Sequence, residues 1–176
     1  MPALRHPLVH PFSGWDVPRL VRSRATTRPD HPFIVWVPFE GEGQTLTYAG
    51  FRDQVRRLGA GLLARGVGPG DYVLIHLENS PEIILAWYAC AETGAVAVTT
   101  NARSSGDELG YFAAHSGAKA AITQPNLAEL VNRFAPDLEW LAVTAHDNGA
   151  PPAAGQAPEA ASAFAAIDGD PATLWR

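Results

Sequence analysis

The sequence has one cysteine, Cys90, and one lysine, Lys119. A single thiol excludes an internal disulfide framework and a zinc knuckle built from several thiolates. A single lysine among 13 basic residues leaves arginine as the other source of positive charge for phosphate or carboxylate chemistry. Positive charge is scarce overall: the formal net charge is −5, which argues against a nucleic-acid binder that must neutralise phosphates. No apolar run approaches the roughly 18–20 residues that cross a bilayer. The stretch from Met1 to His10 has no long apolar core and carries Pro2 and Pro7, so a signal peptide is not expected. The expected compartment is therefore the reducing cytoplasm.

What is present reads as a globular α/β chain. Its 176 residues, 47% of them hydrophobic and 18% charged, suffice for one domain with a sizeable core. After an irregular lead over residues 1–13, Asp16 caps a helix with Leu20, Val21 and Ala25 on one stripe, ended by Pro29. Phe33–Val37 and Gln44–Leu46 read as strands around the turn at Glu40–Gly43. Thr47 caps a long helix whose buried face is Phe51, Val55, Leu58 and Leu62, at helical spacing. Gly66 closes it, and Pro69-Gly70-Asp71 turns the chain into the apolar strand Tyr72–Leu77. Because that strand is apolar throughout, it is expected in the middle of a parallel sheet. Ser80 and Pro81 open a helix that runs to Gly94, and a strand at Ala95–Val98 follows. Ser105 and Glu108 form a capping box for a helix reaching Ser116-Gly117, ahead of a strand at Ala120–Thr123. Asn126 is expected to cap a short helix with Leu127, Leu130, Val131 and Phe134 inward, before a last strand at Leu138–Val143.

Strands alternating with helices predict βαβ units and a largely parallel sheet flanked by helices. Residues 1–149 then form one α/β sub-domain. Residues 150–176 read as a linker and tail, since nine of the seventeen residues from Ala150 to Ala166 are alanine.

Candidate chemistry is sparse. Gly66-Val67-Gly68-Pro69-Gly70 follows a helix and opens a strand, the reverse of a nucleotide-binding glycine loop, so termination and turning explain it. Gly59 and Gly61 lie inside a helix, where glycine permits close packing. His6 and His10 have the spacing of a metal pair but lack a third ligand, and no metal site is expected. His76 reads as a hydrogen-bonded structural histidine. Its place near the carboxyl end of a strand, where α/β proteins bind ligands, keeps a minor functional role open. Cys90 reads as a buried inert thiol, Trp87 as core and Tyr88 as a surface-edge residue. Ser104 and Ser105 lack the surroundings of a nucleophile elbow, and Glu78, Glu82, Asp107 and Glu108 form no assignable acid pair.

The order and spacing of several segments carry a resemblance. They are Leu46-Thr47-Tyr48 before a helix, Gly66–Asp71 before an apolar strand, His76-Leu77-Glu78-Asn79-Ser80-Pro81-Glu82 running through Ala86–Ala91 to Gly94-Ala95-Val96, then Asn101-Ala102-Arg103 and Ser116-Gly117-Ala118-Lys119. Over about residues 15–145 the chain resembles the N-terminal region of the adenylate-forming superfamily, which includes acyl-CoA ligases, adenylation domains and luciferases. The wording is most similar to acyl-CoA ligases of the crotonobetaine/carnitine kind. The resemblance implies an enzyme that activates a small carboxylic acid with ATP and Mg2+ to an acyl-adenylate and transfers it to coenzyme A. It also implies that Asn101, Ala102 and Arg103 border the coenzyme A entrance. Bracing of the loop is the alternative role for those three residues.

The family's glycine-rich phosphate loop ending in Pro-Lys is absent from residues 1–176, and Lys119 matches none of the family's lysines. No catalytic residue is therefore expected in this chain, which should be inactive alone and bind none of these cofactors tightly. An acceptor other than coenzyme A, or a stand-alone binding module without catalysis, are the alternatives. A homodimer is open. The apolar faces of the Phe51–Leu62 helix and the following strands are expected to need partners from outside the chain.

Overall fold

The computed structural model describes residues 10–38, 42–145 and 147. Helix α1 (Val17–Thr27) leads into β1 (Pro32–Trp36) and β2 (Gln44–Thr47), followed by α2 (Tyr48–Ala64) and β3 (Tyr72–His76). Then come α3 (Pro81–Thr93), β4 (Val96–Thr99), α4 (Gly106–Ser116), β5 (Ala120–Thr123), α5 (Pro125–Phe134) and β6 (Trp140–Val143). The expected boundaries hold to within two residues, the ordinary scatter of fraying ends. The linker expected over 150–176 lies outside the described residues, as does most of the irregular lead.

β1 and β2 form an antiparallel hairpin of their own. The main sheet has the order β4-β3-β5-β6 with every pairing parallel, Val73 standing between Ala97 and Ala120. β3 is thus an interior strand, as its apolar sequence predicts. Side chains alternate across it. Val73 and Ile75 join a core with Phe51, Leu58, Leu62, Leu85 and Ala89 from α2 and α3. Leu74 joins a second core with Leu109, Ala113, Val131 and Leu141, beneath α4 and α5. Helices therefore cover both faces, which is why β3 carries no polar face.

The apolar face of α2 is satisfied within the chain, contrary to the expectation above. Phe51, Val55, Leu58 and Leu62 are between 0 and 3% exposed, each side chain contributing roughly 1.5–3 kcal/mol of gross burial. α3 covers them, and closely: a Cβ on Gly59 would stand 3.3 Å from Thr93 Cγ2. Phe33, Phe51 and Tyr88 form an edge-to-face aromatic group with Tyr48 stacked on Phe33. Tyr88 is therefore part of the packing and Trp87 is half exposed, the reverse of the expected assignment. The buried stripe of α3 is Leu85, Ala86, Ala89, Cys90 and Thr93, and Trp87 falls off that stripe.

Helix α5 also departs from expectation. Its N-cap residue is Gln124, with Pro125 at N1, and Asn126 lies inside the first turn. Proline supplies a preformed helical φ and lacks the N–H that would be orphaned there, so it fixes the start. Of the four residues expected inward, Val131 is fully buried and Leu130 packs at the margin of the second core. Leu127 belongs to neither core. Phe134 instead packs against α4, where a Cβ on Gly106 would collide with its ring and one on Gly110 would meet its carbonyl oxygen at 2.8 Å.

Candidate functional site

The carboxyl ends of β4, β3 and β5 gather the chain's polar groups on one edge of the sheet. After β3 the chain leaves to the α3 face, and after β5 it leaves to the α5 face. Between two such strands an α/β sheet leaves a crevice, the usual place for a ligand. Here the chain fills that crevice itself. Gln124 is 1% exposed; its Oε1 accepts from the Glu78 backbone N–H at 2.9 Å, and its Nε2 donates to Glu78 Oε2 at 3.1 Å and Asn126 Oδ1 at 2.9 Å. Thr123 Oγ1 donates to the His76 carbonyl at 2.7 Å. Asp147 Oδ1 accepts from the Asn126 N–H at 3.0 Å, so α5 is capped by a carboxylate from beyond β6.

His76 ends β3 on the face shared with Leu74. It is fully buried, its Nδ1 lies 2.8 Å from Thr100 Oγ1, and its Nε2 has no partner among the described residues. Burial lowers its pKa, keeping the ring neutral at neutral pH. It is thus the hydrogen-bonded histidine that the sequence implies, with one nitrogen left over.

Thr100 opens the segment holding Asn101, Ala102 and Arg103. The Arg103 N–H donates to Asn101 Oδ1 and the Ser104 N–H to the Asn101 carbonyl, both at 2.9 Å, which closes a tight turn. Asn101 and Arg103 are exposed and Ala102 is half-buried. The helix that follows begins with a complete capping box: the Ser105 N–H donates to Glu108 Oε2 at 2.8 Å, and Ser105 Oγ accepts from the Glu108 N–H. The amino terminus of α4 is therefore partly satisfied by its own carboxylate and is a weaker anion site than its position after a strand suggests. Arg103, whose guanidinium pairs with no carboxylate among the described residues, is the cation left at this edge.

Lys119 lies at the opposite end of the sheet. Its Nζ donates to the Gly66 carbonyl at 2.6 Å and lies 3.5 Å from Asp71 Oδ2. Asp71 accepts from the Gly68 N–H at 2.8 Å, and that bond together with the nearby lysine lowers its pKa. Gly66 and Gly70, at φ of +80° and +84°, give the turn its left-handed steps. The glycine cluster is a helix stop fastened by Lys119. Cys90 is 0% exposed and burial pushes its thiol up to about 12, which makes it inert as a nucleophile. Among the described residues no group of three or more His, Cys, Asp or Glu side chains could hold a metal ion. None of their helices is long and apolar enough to cross a membrane.

The sequence pointed to His76 and to the Asn101–Arg103 turn, which the fold brings together through Thr100. It missed Gln124, Thr100 and Asp147. The placement of Gln124 directly before Pro125 was the available signal, because a polar residue ahead of a proline marks a helix entrance.

Comparison with known proteins agrees with the fold. A medium/long-chain-fatty-acid–CoA ligase of Mycobacterium tuberculosis is 35% identical over 124 residues, which cover 70% of this chain and 20% of that protein. A crotonobetaine/carnitine–CoA ligase of Citrobacter koseri is 31% identical over 90 residues, covering 51% of this chain and 17% of the ligase. The chain thus spans about a fifth of these relatives' length. The inhibitor-bound N-terminal domain of FACL13 from M. tuberculosis superposes with a TM-score of 0.65 at 26% identity, covering 72% of this chain and 32% of that one. The model of the family described as AMP-binding enzyme matches residues 21–173, and the chain belongs to that family.

Proposed function

We propose that this chain serves an ATP-dependent, AMP-forming acid–CoA ligase, one that joins a small carboxylic acid to coenzyme A through an acyl-adenylate with release of pyrophosphate. The observation that carries the reading is the family match over residues 21–173, reinforced by relatives named as CoA ligases for two different acids. The protein is proposed to act in the cytoplasm. Residues 1–149 are proposed as its α/β sub-domain and 150–176 as a linker and tail.

The described residues fit the proposed ligands unequally. Coenzyme A is a phosphate-bearing anion, and the exposed Arg103 on a closed turn beside the sheet's carboxyl edge suits its approach. Its role there is to attract and orient, a binding effect. ATP does not fit these residues alone. Bound with Mg2+ it supplies the reactive phosphoryl group and a metal that offsets its charge. Transfer also requires donors cradling the phosphates, and Lys119 is spent on Gly66 at the other end of the sheet. The role of these residues is to hold the sheet and present the Arg103 turn.

Carboxylate-dependent ATP–pyrophosphate exchange tests the reading. Residues 1–176 should not exchange, whereas a longer version carrying a glycine-rich phosphate loop should. Exchange by the 176-residue chain would overturn this division of labour. Failure of the longer version with every class of carboxylic acid would overturn the ligase reading itself.

A further inference from the structure

A polar ring fully buried beneath an exposed turn costs desolvation that its hydrogen bonds must offset, and the side-chain bond His76 makes among the described residues is to Thr100 at 2.8 Å. We infer that His76 and Thr100 are a positioning pair that fixes where the Asn101–Arg103 turn, and with it the Arg103 guanidinium, stands relative to the sheet. The inference rests on the reading that Arg103 meets coenzyme A.

The hydrogen bonds inside the turn, Arg103 N–H to Asn101 Oδ1 and Ser104 N–H to the Asn101 carbonyl, shape it but attach it to nothing else. Its attachments are Ser105, which caps α4, and Thr100, which extends the ladder from β4. The Thr100 N–H already donates to the Ile75 carbonyl at 3.1 Å, so the ladder closes without the side chain. The hydroxyl adds a second fastening. It lies 2.8 Å from His76 Nδ1 and 3.3 Å from the Ile75 carbonyl, a distance suited to donating there while accepting from the ring N–H. That arrangement makes Nδ1 the protonated nitrogen and leaves Nε2 a bare acceptor in the core, in keeping with its lack of a partner among the described residues. A histidine serving only as core filler would leave both nitrogens indifferent to Thr100. Among the described residues, the one side-chain bond it makes reaches Thr100, the residue that opens the exposed turn.

The test has three readouts: thermal midpoint and hydrogen exchange of the amides at 101–104 in the 176-residue chain, and affinity for coenzyme A by titration in a longer version that carries the phosphate loop. Thr100→Val keeps the β-branched shape and removes the hydroxyl, while Thr100→Ser keeps the hydroxyl. Thr100→Val should speed exchange at Arg103 and Ser104 about tenfold, the worth of one hydrogen bond. It should weaken coenzyme A binding as far as Arg103→Ala does and lower the midpoint by a few degrees, because the buried ring N–H loses its acceptor, and Thr100→Ser should restore all three. Wild-type exchange in Thr100→Val, or no rescue by serine, overturns the positioning role. If Thr100→Val does not fold, His76→Leu against His76→Asn decides, because the asparagine amide can replace the Nδ1 donor. Faster exchange in the leucine variant alone supports the pair; equal exchange in both overturns it. Arg103→Ala binding coenzyme A as well as the wild type, with the turn still loosened by Thr100→Val, refutes the coenzyme A reading and leaves the positioning role standing.

Discussion

Lys119→Met separates a lysine that holds the fold from a lysine that does chemistry. Methionine keeps most of the stem and removes the ammonium, so what is lost is the 2.6 Å bond to the Gly66 carbonyl at the end of α2. A hydrogen bond from a charged donor is worth about 1.5–3 kcal/mol in a protected place. The Lys119 side chain is 26% accessible, so water replaces part of what is lost. The contact to Asp71 is solvent-screened and adds little. A net loss of about 1–2 kcal/mol is expected, and at about 2–4 °C per kcal/mol for a chain of this size the midpoint should fall about 2–8 °C. Thermal unfolding followed by circular dichroism measures it, with urea unfolding as a check that the slope is unchanged. In a longer version that performs the exchange reaction, the same change should leave the rate per folded molecule at the wild-type level. An unchanged midpoint together with lost exchange would refute the reasoning, since the lysine would then act at the chemistry and not at the helix end.

Gly106→Ala should destabilise the chain by about 1–3 kcal/mol, because its Cβ would collide with the Phe134 ring. Phe134→Leu should recover part of the loss in a double-mutant cycle; full additivity would count against direct contact. The lowered pKa of His76 has a definite sign: a neutral buried ring contributes fully above its unfolded value of about 6.5. Stability should therefore fall as pH drops below that value, and His76→Asn should flatten this part of a urea midpoint series, whereas an equal slope in both proteins would exclude the histidine as its source.

Local chemistry was enough for most of the elements. Thr47, Ser105 with Glu108, and Pro81 each announce a helix entrance through groups that act within one turn. The unbroken apolar run of β3 implies a strand covered on both faces, and Gly66 and Gly70 follow from the left-handed steps of a helix stop. Contacts across the chain had to be seen. Lys119 reaches Gly66 over 53 residues, Gln124 reaches Glu78 over 46, and Asp147 caps α5 from 21 residues away. No periodicity records such pairings, because each depends on which strands become neighbours and on which face each helix lies. The same is true of the site: His76 and Arg103 are separately visible in the sequence, but only the parallel pairing of β3 with β4 sets Thr100 between the histidine and the turn.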